Sequence, residues 1–337
     1  MNYNYVKTPA LSIMVAGGCI FALVKRGNLL SVVMLDEERK AESEMASLNA
    51  SQGLILGAEE DKLLLSIDDK LVLVEGGKQK TVLKSHRSRN FFWHATRAEN
   101  MVFVQEYGEA PTGIFASEDL MNWRKLVVNT SLDKHSKHFH NITYDPYRKW
   151  LIATLGDGCL TRVVVSEDLG NSWKPLYRGP WQFVPAVPLQ DKIVFGMDSG
   201  IAKGGLGIYY LGEDKWSFVF LKSLSHRRAQ FASLKKFGDY YIGCLGYPTA
   251  IVVSRDLKHW HLLHLDNSHL EYNYFVDVEP WGEKIVAVTG KELLVFELKD
   301  VEKAFEERPF LTPHRAYLDR LRGLAFTIKR IRWMLKP

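Results

Sequence analysis

At 337 residues and 46% hydrophobic content the chain can bury a large core, and nothing in its composition marks it as disordered. Three scattered cysteines, Cys19, Cys159 and Cys244, exclude a disulfide framework or a cysteine metal knuckle and read as small core residues. The net charge of +5 is gathered at one end: residues 314–337 carry seven basic side chains against the single acid Asp319, so the remainder is near neutral and gives no support to nucleic-acid binding.

Taken in order, Leu11–Val24 is apolar, and Val15-Ala16-Gly17-Gly18-Cys19 faintly suggests a lipoprotein cleavage site. Only Lys7 precedes it as a positive side chain, and apolar residues run straight on past Cys19. The reading adopted is two strands, Ser12–Val15 and Ile20–Val24, joined at Gly17-Gly18. Asp36–Ala46 is charged and reads as a short helix or an exposed loop. Ser51–Leu83 is a meander of short apolar runs with turns at Asp68-Asp69 and Gly76-Gly77.

Four repeats follow. In Phe91–Val128, His138–Trp173, Phe183–Leu221 and Gln230–Leu265, short apolar runs alternate with Gly, Asp and Pro turns, and a polar turn then leads to a tryptophan. The tryptophans, 123, 173, 216 and 260, stand 50, 43 and 44 residues apart. A period of this size with about four strands per repeat predicts an all-β propeller. Tyr274–Leu298 offers only three strands, and residues 10–35 are available to complete that last blade. The preferred count is therefore six blades; if residues 10–48 form a blade by themselves, the count is seven.

Ser166-Glu167-Asp168-Leu169-Gly170-Asn171-Ser172-Trp173 fits the Asp-box pattern Ser-x-Asp-x-Gly-x-Ser/Thr-Trp, and 117–123 and 254–260 keep its Ser, Asp and Trp one residue shorter. In these motifs the chain resembles the sialidase-like, or BNR-repeat, propellers over roughly residues 50–300. The resemblance implies a polar site at the mouth of the propeller and Asp boxes on the opposite face, where they hold turns together. Asp168 is accordingly read as structural.

On the predicted site face, the entries to the first strands bring His94, His138, His140, Gln182, Arg227, Arg228 and Tyr272, and the loops between second and third strands bring Glu106, Asp157, Asp198 and Tyr247. Such convergence suits a glycan or another polar or anionic small ligand. His138 and His140, two apart on a strand, share one face, with Asp157 from the same blade. They form a charge-relay pair, or part of a metal site, or only satisfy hydrogen bonds in a polar channel; the reading carried forward assigns no metal and no cofactor. Asp157, Asp198 and His140 are the catalytic candidates, and His94, His138, Glu106, Gln182, Arg227, Arg228, Tyr247 and Tyr272 the substrate-binding ones. The resemblance implies glycoside hydrolysis, with a non-catalytic glycan- or protein-binding propeller as the alternative. The early Arg-Ile-Pro motif of sialidases is absent and the arginines do not fall one per blade, so no sialidase role passes to a specific residue.

The propeller is assigned to residues 1–300, and residues 301–337 to a linker and a basic amphipathic helix. Tyr317, Leu321, Leu324, Ile328, Ile331 and Leu335 are spaced 4, 3, 4, 3 and 4 apart, which draws one apolar stripe along a helix beside many arginines. A helix of this kind fits an anionic membrane surface, with docking on the propeller or on a partner chain as the competing accounts. A cytoplasmic or membrane-surface location is favoured over secretion.

Overall fold

The middle strands of the repeats are apolar on both sides, because each sheet has a neighbour on each face. Trp150–Gly156 and Thr161–Ser166 are buried at nearly every position, whereas the fourth strand of the same blade, Lys174–Gly179, is mostly polar and open. Stacking such sheets gives a seven-bladed β-propeller. The computed structural model describes residues 9–36, 41–59, 62–157, 160–223, 225–226, 228–266, 268 and 271–335.

Every described blade is an antiparallel meander. The first contains Ala10–Ala16, Cys19–Arg26, Leu29–Asp36 and Ala41–Asn49; the second runs from Gly53–Glu59 to Lys78–Lys84. The third comprises Phe91–Ala98, Met101–Tyr107, Gly113–Ser117 and Arg124–Val128. The fourth comprises His138–Asp145, Trp150–Gly156, Thr161–Ser166 and Lys174–Gly179, and the fifth begins with Phe183–Pro188 and Lys192–Met197. The sixth runs from Gln230–Phe237 to His261–Asp266, and the seventh has three strands, Asp277–Trp281, Lys284–Val288 and Leu293–Glu297. The preferred count of six thus gives way to the seven-bladed alternative. The reason lies in Asp36–Ala46: from Ala41 this charged stretch is strand, pairing Asp36 with Ala41 and Leu29 with Asn49, so the first blade is complete in itself. Residues 37–40 lie outside the described residues. The hairpin at Gly17-Gly18 is as expected, with both glycines at positive φ (56° and 79°), a turn that side-chain-bearing residues enter only under strain.

Two compact units emerge, residues 1–84 with 232–311, and residues 85–231 with 312–337. In the first, Ala10, Ile13, Ile20 and Val33 of the first blade pack on Trp281, Val286 and Val295 of the seventh, and Leu23, Leu30 and Val32 pack on Leu63, Leu65 and Val72 of the second. Helix Leu298–Glu306 sits on this unit through Val301 and Ala304. In the second, Phe103, Ile114, Phe139 and Leu151 form one core, and Phe183, Phe195 and Trp216 another.

The second unit also carries the C-terminal helix, Tyr317–Met334. Its contact face is small: Gly323 lies against Trp181 and Pro180, Ala316 joins the fifth-blade core, and Asp319 is buried 3.2 Å from His314 Nε2. Trp333 meets the His135 ring edge-on at 4.8 Å. Ala316 and Gly323 precede Tyr317 and Leu324 of the apolar stripe by about 100° of helical rotation. The stripe therefore points outward, with Tyr317 70%, Leu324 58% and Leu335 78% exposed.

The Asp-box turns are built alike. Ser172 N and Oγ donate to Asp168 Oδ1 (2.8 Å) and Oδ2 (2.6 Å), and Trp173 Nε1 donates to Gly170 O at 3.2 Å. In the shorter copies Asn122 N reaches Asp119 at 2.7 Å and His259 N reaches Asp256 at 2.8 Å, while Trp123 and Trp260 donate to Leu120 O and Leu257 O. Leu120, Leu169 and Leu257 are all left-handed, which the carboxylate bonds hold in place.

Candidate functional site

The site is built by a repeated irregularity. In the third blade Gln105 pairs with His94 and Glu106 with Phe92, leaving Trp93 as an extra residue. In the fourth, Leu155 pairs with Phe139 and Thr154 with Asn141, leaving His140 as the extra residue. A bulge of this kind re-aims one side chain. It turns Trp93 and His140 toward each other, with ring centres 6.5 Å apart. Tyr107, at the end of its strand, completes the cluster at 4.6 Å from Trp93 and 4.1 Å from His138. The two histidine rings are perpendicular at 4.8 Å.

His138 is buried, and its Nδ1–H donates to Gly108 O at 2.5 Å. Its other nitrogen, Nε2, lies 3.4 Å from Asp157 Oδ2, which Lys137 Nζ approaches to 3.7 Å. Burial alone would raise the Asp157 carboxyl, but the pull of the nearby His138, His140 and Lys137 outweighs it and holds it well below the usual carboxylate range. His140 is driven the other way: burial first, then His138, lowers its imidazole to about 3, so the ring is neutral. Neither of its nitrogens has a hydrogen-bond partner among the described residues. Gly156 makes room for it, since a Cβ there would stand 3.3 Å from His140 Nε2 and 3.1 Å from Thr161 Cγ2.

The second carboxyl, Asp198, lies at the end of a fifth-blade strand. It accepts from Gln230 Nε2 at 2.6 Å and from Gln182 Nε2 at 3.4 Å. Gln182 also flanks Gly156, as His140 does, and so links the two carboxyls into one site. Burial, followed by the charge of Asp157, pushes Asp198 up to about 7 against the opposing charge of Arg228. Among the described residues His138, His140 and Asp157 form the one group of three donors, all within 4.8 Å of one another, able to hold a metal ion.

The structure thus brings together His138, His140, Asp157, Gln182 and Asp198, with His94 beside Trp93 at 5.0 Å and Arg228 exposed but acting on Asp198. Glu106 is a correction. It is fully buried and accepts from His86 N (2.7 Å), His86 Nδ1 (2.5 Å), Asn90 Nδ2 (2.8 Å) and Gly113 N (3.1 Å), so it fastens the entry loop and has no oxygen to offer a ligand. Tyr247 and Tyr272 belong to the other compact unit. Arg227 lies outside the described residues. Sequence reasoning overlooked Lys137, whose signal was its position next to His138, and the Gly108 carbonyl, for which a sequence carries no signal.

Asp168 is remote from these groups. In the fourth blade His138 pairs with Gly156 at one end of the sheet, and Leu151 pairs with Ser166 at the other. The fourth-blade box is therefore about 20 Å from the site along the strands.

No family model and no curated protein matches the sequence. Solved structures do. The extracellular domain of a hybrid two-component system protein from B. thetaiotaomicron superposes with a TM-score of 0.62 at 8% identity over 87% of this chain, which spans 39% of that chain's length. The polysaccharide lyase Uly1 gives a TM-score of 0.54 at 7% identity, with 86% of this chain and 90% of that chain covered. The computationally designed protein Ika8 gives 0.51 at 10% identity, covering 87% and 97%. At these identities the likeness is one of fold.

Proposed function

We propose that the site between the third, fourth and fifth blades binds a glycan and hydrolyses a glycosidic bond. The observation that carries this reading is the pairing of two unlike carboxyls in one site. Asp198 is half-buried, held by glutamine amides and pushed up to about 7, so it holds a proton near neutral pH and can give it to a leaving-group oxygen. Asp157, a third exposed and joined to His138, faces the solvent side, where water is activated. Tyr107 offers a half-buried ring for a sugar face, and His94 and His140 line the same wall. The Asp-box turns support kinship with sialidase-like propellers, and the fold shared with a polysaccharide lyase is an analogy that supports a glycan as substrate.

The test is a panel of neutral, uronate-bearing and nonulosonate-bearing oligosaccharides, assayed for new reducing ends. Turnover by the wild type that falls at least ~100-fold in Asp198→Asn, with folding retained, is the expected result. Oligosaccharide binding without bond cleavage would replace this reading with the non-catalytic one. An unsaturated, ultraviolet-absorbing product would replace hydrolysis with elimination.

A second element belongs to this proposal, because the C-terminal helix keeps its apolar stripe exposed. Tyr317, Leu321, Leu324, Ile328, Ile331 and Leu335 form that stripe, with Arg320 on one side and Arg322, Lys329 and Arg332 on the other. We assign it to the surface of an anionic bilayer, to which basic side chains contribute on the order of 1 kcal/mol each. No described helix is long and apolar enough to cross a membrane. Co-sedimentation with phosphatidylserine vesicles should retain the full chain and lose one ending at Thr312. Equal binding by both, or no binding at low salt, overturns this assignment.

A further inference from the structure

We infer that His138, His140 and Asp157 form a site for a divalent first-row transition ion, whose remaining coordination position takes a carboxylate oxygen of an acidic sugar. The inference rests on the glycan reading above for its substrate and on independent geometry for its ion.

The geometry is a matter of lone pairs. His138 donates its Nδ1 proton to the Gly108 carbonyl at 2.5 Å, so in the neutral ring Nε2 carries a lone pair. That nitrogen faces Asp157 Oδ2 across 3.4 Å, longer than a normal hydrogen bond, and a second ring proton or a metal ion between them would join the two. His140 states the same problem more sharply. It is 1% exposed, and neither of its nitrogens has a partner among the described residues. A buried polar atom left in this way has given up its water without a replacement. A cation set among the three donors satisfies the His140 lone pair, the His138 lone pair and Oδ2 of Asp157 together, leaving Oδ1 of Asp157 for the water.

The surroundings are those of a metal ligand set. Imidazoles that bind metals commonly pass their other N–H to a carbonyl, which fixes tautomer and ring plane, as Gly108 does for His138. Two imidazoles and one carboxylate suit zinc and its neighbours and leave a position open. Donor atoms within 4.8 Å of one another stand wider than the roughly 3.3 Å that tetrahedral bonds to such an ion impose, and Asp157, on the open side, is the ligand that would close on it. The bulge at His140 and the absence of a side chain at Gly156 place the ring here, and a Cβ at Gly156 would crowd its Nε2. An ion of charge +2 bound by one carboxylate keeps a unit of positive charge, and Lys137 adds to it. A neutral sugar gains little from that field, whereas a uronate or nonulosonate carboxylate gains a bond to the ion.

The experiment uses the full chain, freed of metal with a chelator and then dialysed. Titration with Zn2+ is followed by calorimetry, and titration with Co2+ by its visible absorption, which intensifies at four- or five-coordinate nitrogen-bearing sites. One equivalent of each ion is expected. His138→Ala, His140→Ala and Asp157→Asn should each weaken binding on the order of 100-fold or more, and the surface variant His226→Ala should leave it unchanged. Circular dichroism shows whether each variant folds; the wild-type Co2+ spectrum alone decides if one does not. Galacturonate oligomers should then bind the Zn2+ form at least ~10-fold more tightly than the metal-free form. No stoichiometric ion in the wild type, or ion affinities in folded variants equal to wild type, overturns the metal site. Ion binding with no effect on galacturonate overturns the substrate. Glycan turnover that persists in chelator discards the ion yet keeps the hydrolase, and a bound ion with no turnover of any glycan discards the hydrolase yet keeps the ion.

Discussion

Asp198 couples the candidate chemistry to stability. Its folded-state value of about 7 lies above the 3.8 of an unperturbed aspartate, because burial and Asp157 both disfavour its charge. Between those two values the folded chain binds the proton that the unfolded chain has released. Stability therefore falls as pH rises from about 4 to about 7 and levels off above. Asp198→Asn removes that slope, and at pH 8 it should be more stable than wild type by roughly 2 kcal/mol while losing turnover. Urea midpoints at pH 5 and pH 8 check it: the two proteins should differ more at pH 8. At this scale the sequence was legible where residues share a phase and illegible where a loop folds over. Asp157 and Asp198 follow equivalent strands and do meet in one site. Glu106 stands two residues short of that position, paired with Phe92 as Leu155 is with Phe139, and the loop that carries His86 and Asn90 closes on it and uses both its oxygens. The offset shows only once the bulges at Trp93 and His140 are aligned, and a sequence does not mark a bulge.

The Asp-box turns show what an element-level motif can and cannot say. Their hydrogen bonds follow the pattern of Ser, Asp and Trp, so the turn was legible. How deeply each tryptophan sinks depends on the neighbouring blade, and was not. Trp260 is fully buried, and its backbone N–H and C=O pair with Leu311; Trp173 is half-buried. Trp260→Ala should cost about 3–5 kcal/mol and Trp173→Ala about 1–2 kcal/mol, read from denaturant midpoints. The Asp168 carboxylate accepts three bonds from its own turn, with Ser172 the chief donor, and these lower it to about 2. Its contribution is complete above 3.8 and is lost as pH falls toward 2, so Asp168→Asn should flatten the acid limb of the stability curve in that window. The C-terminal helix was legible as a period but not in its attachment, because a contact face centred on Ala316, Asp319 and Gly323 carries no hydrophobic signal. Replacing Gly323 by Val would drive a Cβ to 2.6 Å from Trp181 Cη2, in a ring the fifth-blade core cannot release. Cleavage at the helix arginines by trypsin should then quicken about tenfold or more, with the blades intact.

At the level of the whole molecule, the class of fold could be read from a period of 43 to 50 residues, because each blade must place a turn and a tryptophan at the same point of its meander. The number of blades could not, because the first blade has no box and its fourth strand, Ala41–Asn49, is written in Glu, Ser and Ala. Such a strand is polar because it is outermost, and composition alone does not separate it from a loop. The two counts differ in what the first residues do. In a six-bladed ring only one strand from this region would be structural, closing the last blade. In the seven-bladed arrangement the blade 10–49 has two buried faces: Ile13, Ile20, Ala22 and Val24 pack toward Trp281 and Val295, and Phe21, Leu23 and Leu30 toward Ile55, Leu63 and Val72. Ile20 and Leu23 belong to the same strand and serve opposite neighbours. Ile20→Ala and Leu23→Ala should therefore each cost about 2–5 kcal/mol, and, acting on separate clusters, they should add in the double variant to within about 0.5 kcal/mol. Midpoints that move for only one of the pair would place a single face of this segment in the core, as a lone closing strand would, and would contradict a complete first blade.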